Sequence, residues 1–482
     1  MTANGHWSKR WPAHGESERL RVPQPLVRRR IASGRGATEQ PNAKGDGDAA
    51  LTPRFWLMLG LTGIATGLFG DLLMWVLFTV QHLAFDYHSG ELQTAVERVS
   101  DERRIVVLAM AGLFGAVAWY FVRRHLRDES TEIDDAIWSG DGGLGPRRSL
   151  ATSMISEIVI GMGASIGREA APKLMGGVSG SVLASWGRLS HAQRRLLVAC
   201  GGGAGLAAVY NVPLGGAMFT AEILMGSLSL PMVLPALACS WTATATAWLY
   251  LPQHATYLDV PAFSFTASLL VWGLLVGPAI GLVASGYVRL IGWVSHHRAS
   301  GHTLLIAFPI ALTALGLLGI KYPELFGNGQ DMAHSVFLGE GGLTLLAALF
   351  VLKPLVTALC LAGGGSGGLF TPTLSNGAVL GGFLGGAWSL LWPGTPIGAF
   401  AMVGAAAMLG ASMQAPLTAL ALVLELTHSG FQIMVPMMVA LVIATAITRH
   451  VDGYSIYSAR LGERLSPNPA HSSVTRRRAD RQ

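Results

Sequence analysis

Charge is what this chain has least of. Only 13% of its 482 residues are Asp, Glu, Lys or Arg, against roughly 25% in a soluble domain, and that deficit excludes an ordinary soluble enzyme. Cysteine is scarce as well. Cys200, Cys239 and Cys360 all lie in apolar sequence, with no Cys-x-x-Cys and no histidine at ligand spacing, so neither a disulfide framework nor a metal site is indicated. Signatures of enzymes are missing too: there is no His-Glu-x-x-His, and no glycine run leads into Gly-Lys-Ser/Thr, which argues against zinc hydrolysis and nucleotide binding. No cofactor is expected. The first fifty residues hold no continuous apolar run of the kind a signal peptide needs.

What is present is apolar. Hydrophobic residues make up 51% of the chain and glycine supplies 61 positions. Stretches approaching the ~20 residues that a helix needs to cross a bilayer recur between positions 55 and 448. We therefore expect an all-α, multi-pass protein of a cell membrane, embedded in the lipid bilayer over residues 54–458. Abundant glycine allows helices to approach closely or to break. The net charge of +6 comes mainly from the ends: residues 1–54 carry ten Lys/Arg against five Asp/Glu, and residues 459–482 carry six against two. By the positive-inside rule both tails, 1–53 and 459–482, are expected in the cytoplasm. The first reads as disordered. Neither tail interleaves aromatics with its basic residues as a nucleic-acid surface would, so lipid headgroups rather than nucleic acid are the expected neighbours.

The middle of the chain repeats itself. Gly-Gly-Gly-Ala-Gly-Leu-Ala-Ala-Val-Tyr-Asn-Val-Pro-Leu at 201–214 is followed by Glu222, nine positions after Pro213, and Gly-Ala-Ala-Ala-Met-Leu-Gly-Ala-Ser-Met-Gln-Ala-Pro-Leu at 404–417 by Glu425, nine after Pro416. The offset is 203. Upstream, Gly167-Arg168-Glu169-Ala170-Ala171-Pro172 pairs with Gly368-Leu369-Phe370-Thr371-Pro372 at an offset of 201, with the first proline one residue late. Duplicated halves, about 54–260 and 261–458, are the plan of many secondary transporters, which place the substrate at the repeat interface. Several apolar segments, at 174–183, 214–225 and 417–426, are nearer ten residues than twenty and read as half-helices.

Glu169 stands in a turn of small residues just before an apolar helix, where glycines and a first-turn proline leave amide N–H groups and a positive dipole end. A carboxylate could occupy such an anion site and leave it on protonation; the plainer alternatives are a helix cap or a pair with Arg168. The glycine run at 363–368 is the matching break, whose successive amides can form an anion nest, or simply permit tight packing. Glu222, Glu425, Lys353, Asp71 and Glu157 are further ionisable residues in apolar sequence. Glu222 is a candidate proton carrier or a pairing group, Glu425 more a cap than a carrier, and Asp71 and Glu157 have no assigned role.

These residues carry a resemblance. The sequence resembles the CLC family of chloride channels and chloride/proton exchangers over about residues 55–461, in four stretches: Gly167-Arg168-Glu169, similar to the segment with the family's external gate glutamate; Gly368-Leu369-Phe370-Thr371-Pro372, similar to its Gly-x-Phe-x-Pro; residues 204–214 with Glu222, similar to the stretch before its inner acids; and Tyr457, in the place of its chloride-contacting tyrosine. The resemblance implies two inverted halves with roughly eighteen tilted, partly broken helices, a homodimer, and one anion pathway per subunit. It also implies that backbone groups of Gly167, Arg168 and Ala170 and of Gly368, Leu369 and Phe370 coordinate chloride or a similar small anion, with Tyr457 closing the inner side and Glu169 gating the outer one.

The departures matter as much. By spacing, the family's serine loop falls on residues 127–131, putting Asp128 at the serine position and Ser130 within a small register shift. Gly142-Gly-Leu-Gly-Pro146 matches better by letters but lies about twenty residues too close to Gly167. Ile223 occupies the place of the exchangers' second inner acid. Since isoleucine carries no proton, the sequence weighs toward passive, channel-like anion conduction, with proton-coupled antiport as the alternative and a non-transporting sensor or scaffold as a third reading.

Overall fold

The computed structural model describes residues 51–126, 133–138 and 142–460. Asp128 and Ser130 lie outside the described residues, as do most of the two tails. Among the described residues the chain forms seventeen α-helices and no strand longer than a single bridge. The first half comprises α1 (Pro53–Phe85), α2 (Leu92–Arg98), α3 (Asp101–His125), α4 (Ile133–Trp138), α5 (Pro146–Gly161), α6 (Ala170–Trp186), α7 (His191–Tyr210), α8 (Pro213–Met218), continued by a π-helical turn at Phe219–Leu224, and α9 (Leu230–Ala247). The second comprises α10 (Ala267–His296), α11 (Leu304–Leu318), α12 (Gln330–Phe337), α13 (Leu343–Ala362), α14 (Phe370–Ser389), α15 (Ile397–Met413), α16 (Pro416–Thr427) and α17 (Met434–Val451).

Local chemistry sets the ends of these helices. Thr52 caps α1 by accepting from Phe55 N, with Pro53 at the first position, where its missing N–H costs nothing. Ser100 caps α3, whose first turn holds Asp101 and Glu102 and whose last holds Arg123, Arg124 and His125, the order that suits the helix dipole. Ser190 and Gln193 close a capping box on α7.

Seven helical segments among the described residues are long and apolar enough to cross a membrane. On α1 the exposed residues Leu57, Leu61, Ile64, Leu68, Leu72 and Trp75 recur every three or four positions, an apolar stripe that suits lipid rather than water. The interior belongs to two helix pairs, α6 with α7 and α14 with α15; every residue of α15 after Ile397 is buried. Each pair crosses on glycine. A Cβ on Gly176 would strike the carbonyl of Gly201 and the reverse, and Gly377 and Gly404 stand in the same relation. The crossings recur at the offsets of 201 and 203 seen in the sequence. The backbone repeats too: Asn211 and Gln414 end α7 and α15 in the left-handed conformation at φ 55° and 56°, each followed two residues later by the proline that opens the next helix.

The all-helical, multi-span architecture is the fold class the resemblance implied. One of the short segments is longer than its apolar run: α6 starts at Ala170 and spans 17 residues, because Gly176 and Gly180, buried against α7, together with Gly177 and Ser179 dilute its hydropathy. The other two remain short, α16 at 12 residues and α8 at 6 before its π turn.

Candidate functional site

The two glycine breaks meet. Gly167 N donates to Gly368 O at 2.8 Å and Gly368 N to Gly167 O at 2.7 Å, an isolated antiparallel bridge from which α6 and α14 set out. Glu169, the residue before α6, is 4% exposed and turns its carboxylate into the start of the other helix. Phe370 N donates to Oε1 at 2.6 Å, and Thr371 Oγ1 and Tyr210 OH approach Oε2 at 3.4 Å each. Tyr210 and Thr371 are joined hydroxyl to hydroxyl at 2.7 Å. A negative group at a helix N-terminus is stabilised by amide donors and by the helix dipole. Of the plainer alternatives, no ion pair to Arg168 forms among the described residues; that guanidinium lies 5.1 Å over the Tyr210 ring and 5.7 Å over that of Phe78.

Glycine at both breaks leaves room for the gate: a Cβ on either Gly167 or Gly368 would overlap the Glu169 carboxylate where it now sits. Their amides, however, are committed to the bridge. In this arrangement Gly167 and Gly368 shape the pocket, and Phe370 N is the amide that holds the carboxylate.

One turn along α6, Lys173 N donates to Glu169 O at 3.2 Å. The Lys173 ammonium lies 4.7 Å over the Tyr457 ring and 5.5 Å over that of Phe219, and those two rings meet edge to face at 5.8 Å. Tyr457 is held beside them because Ile456 N donates to Ser412 O at 2.7 Å, on α15. Glu169 and Tyr457 therefore flank the first turn of α6. Sequence reasoning missed Lys173, although a lysine four residues after the gate candidate in an apolar helix was a signal. It also missed Tyr210 and Thr371.

The remaining candidates lie elsewhere. Glu222 accepts from Leu417 N at 3.3 Å and from Thr418 N and Oγ1 at 2.7 and 2.6 Å, at the start of α16. Glu425 accepts from Leu214 N at 2.9 Å and Gly215 N at 2.6 Å, at the start of α8. Each half thus caps the other's Pro-Leu helix. Ile223 is half-buried against the core. Lys353 is fully buried and donates to Leu325 O and Gly327 O at 3.2 and 2.8 Å, pairing with carbonyls rather than an acid. The Gly142–Pro146 segment opens α5 and docks on Ser181, far along α6 from Glu169: Leu144 N donates to Ser181 Oγ, which donates to Gly142 O.

The profile of the voltage gated chloride channel family matches residues 111–449. The chain belongs to the CLC family. A ClcB-like chloride channel protein of Ralstonia nicotianae is 34% identical over 375 residues, covering 74% of this chain and 85% of its own. A voltage-gated ClC-type chloride channel, ClcB of Salmonella typhimurium, is 30% identical over 386 residues, covering 78% and 91%. Among solved structures, a slow cyanobacterial Cl−/H+ antiporter aligns with a TM-score of 0.76 at 22% identity, over 86% of this CLC chain and 99% of its own. A CLC-type fluoride/proton antiporter aligns at 0.68 and 20%, over 84% and 97%. These two likenesses establish the fold. Membership in the CLC family makes the chain a multi-pass membrane protein of anion transport.

Proposed function

We propose that this CLC protein exchanges chloride, or a similar small monovalent anion, for protons, with Glu169 as the gate. The observation that carries this is the seat of the Glu169 carboxylate: it holds the α14 N-terminus through Phe370 N, the donor set an anion would use. Carboxylate and anion compete for it. A protonated Glu169 loses its claim on a positive helix end, so anion entry favours protonation and protonation favours anion entry, which is thermodynamic coupling in both directions. The weighing toward passive conduction is thereby reversed. The fold neighbours described as Cl−/H+ and F−/H+ antiporters support the same direction.

In this reading Arg168, Ala170, Leu369 and Phe370 present the backbone that meets the anion. Gly167 and Gly368 leave room for it, Tyr457 closes the inner side, and Lys173 supplies positive potential between gate and tyrosine. Ser130 remains the candidate inner donor. The reading further comprises a homodimer in the lipid bilayer of a cell membrane, the transport domain at 54–458, and tails 1–53 and 459–482 in the cytoplasm. Adjacent weak sites let a partly dehydrated anion both enter and leave.

The test uses vesicles under a chloride gradient with valinomycin clamping voltage. We expect the parent to drive protons uphill and E169Q to lose that coupling together with its dependence on external pH. Anion flux without proton movement in the parent would establish the second reading, passive conduction, which Ile223 favours.

A further inference from the structure

Glu157 of α5 is fully buried, and neither carboxyl oxygen has a hydrogen-bond partner among the described residues. It belongs to a polar stripe. Ser149, Ser153, Ser156 and Glu157 are all buried, and their spacing places them on one face of the helix. That face touches both breaks of the gate. Ser153 Oγ approaches Ala171 O at 3.5 Å, two residues beyond Glu169, and Ser156 Oγ donates to Ser366 O at 2.7 Å, two residues before Gly368. Toward the other end of α5, Pro146 and Arg147 are exposed, and Ser149 Oγ has no partner among the described residues.

The charged groups whose fields reach Glu157 are Arg168 and Glu169. Arg168 forms no salt bridge with it among the described residues, and Arg168 Nε is itself without a partner there. Burying an ionised carboxylate without a partner is far more costly than burying the neutral acid, so this position is suited to an acid that keeps its proton and gives it up only in exchange. Glu222, the carrier candidate from the sequence, offers no such proton, because its oxygens hold the start of α16.

We propose that Glu157 is a proton-carrying residue, which hands its proton to Glu169 and is recharged along the serine stripe of α5. This rests on the proton-coupled reading above. In the transfer step the Glu157 O–H bond breaks and a Glu169 O–H bond forms; the negative charge passes to Glu157, in the field of Arg168, and neutral Glu169 releases Phe370 N to the anion. A proton from water at the Pro146 end of α5, passed by way of Ser149 and Ser153, restores Glu157.

The experiment measures protons and chloride moved together by the full chain in voltage-clamped vesicles. We expect the number of protons moved per chloride to fall at least fivefold in E157Q and by a smaller factor in S153A, with E157D recovering part of the parent ratio. A parent-like ratio in E157Q, or in S153A where E157Q does not assemble, overturns the proposal. Absence of uphill proton movement in the parent itself overturns the proton-coupled reading instead, so the two failures are distinguishable.

Discussion

Two hydrogen atoms at Gly368 leave the space that the Glu169 carboxylate fills. Neither Gly167 nor Gly368 has a positive φ, so alanine is acceptable to the backbone at both, and the cost of adding a methyl is its collision with Glu169. We expect Gly368→Ala to destabilise the protein by about 1–3 kcal/mol, the usual range for overpacking. Most of that loss should vanish in a Glu169→Ala background. A double-mutant cycle of thermal unfolding in detergent reads the coupling directly, and equal losses in both backgrounds would place the collision elsewhere. Glu169 itself was legible in the sequence, as an acid among small residues before an apolar helix. The donors that hold its carboxylate were not, because Phe370 and Thr371 lie about 200 positions away and only the fold brings the breaks together. Tyr210, 41 positions from Glu169 at the end of α7, was hidden because its place in a glycine-rich helix gives no sign of what its hydroxyl meets.

At the scale of helices, the repeat announced two equivalent elements without saying that each completes the other. A helix that opens on proline still has further first-turn amides without partners, and within the membrane no water satisfies them. Glu425 supplies acceptors to α8 and Glu222 to α16, and the positions involved all recur at the offset of 203, with Thr418 in the place of Gly215. Sequence reasoning left Glu222 open between carrier and pairing group because spacing along one half says nothing about what the opposite half presents. Capping by a side-chain acceptor contributes about 0.5–2 kcal/mol. We therefore expect Glu222→Ala to lower the unfolding midpoint, and Glu222→Gln, which keeps an acceptor oxygen, to lower it less while retaining proton coupling. Loss of coupling in Glu222→Gln at an unchanged midpoint would return the carrier role to Glu222.

Across the whole molecule the two halves meet at many places, among them α3 against α11, where Arg104 donates to Ile320 O and Trp119 packs on Phe308, and one of these contacts went unregistered in the sequence because its histidine lies among scattered ones. His334, on α12 of the second half, faces Glu91 of the first: Nδ1 lies 2.5 Å from Glu91 Oε1, and Nε2 lies 2.6 Å from Leu258 O in the connection between α9 and α10. Asp331 lies one turn earlier, accepting from Gln93 N at 2.9 Å. Both ring nitrogens thus face acceptors, which only the doubly protonated imidazolium satisfies together. The Glu91 hydrogen bond, aided by the Leu258 carbonyl and the charges of Glu91 and Asp331, raises the pKa of His334 above its ordinary value, with burial opposing. A histidine whose folded pKa is raised contributes stability that is fully present below about 6.5, the unfolded value, and is lost as pH rises through the folded one. The unfolding midpoint of the parent should therefore fall from pH 6 toward pH 9 more than that of His334→Gln, in which this linkage is absent. Parallel profiles for the two proteins would show that this junction does not bear on the docking of the halves.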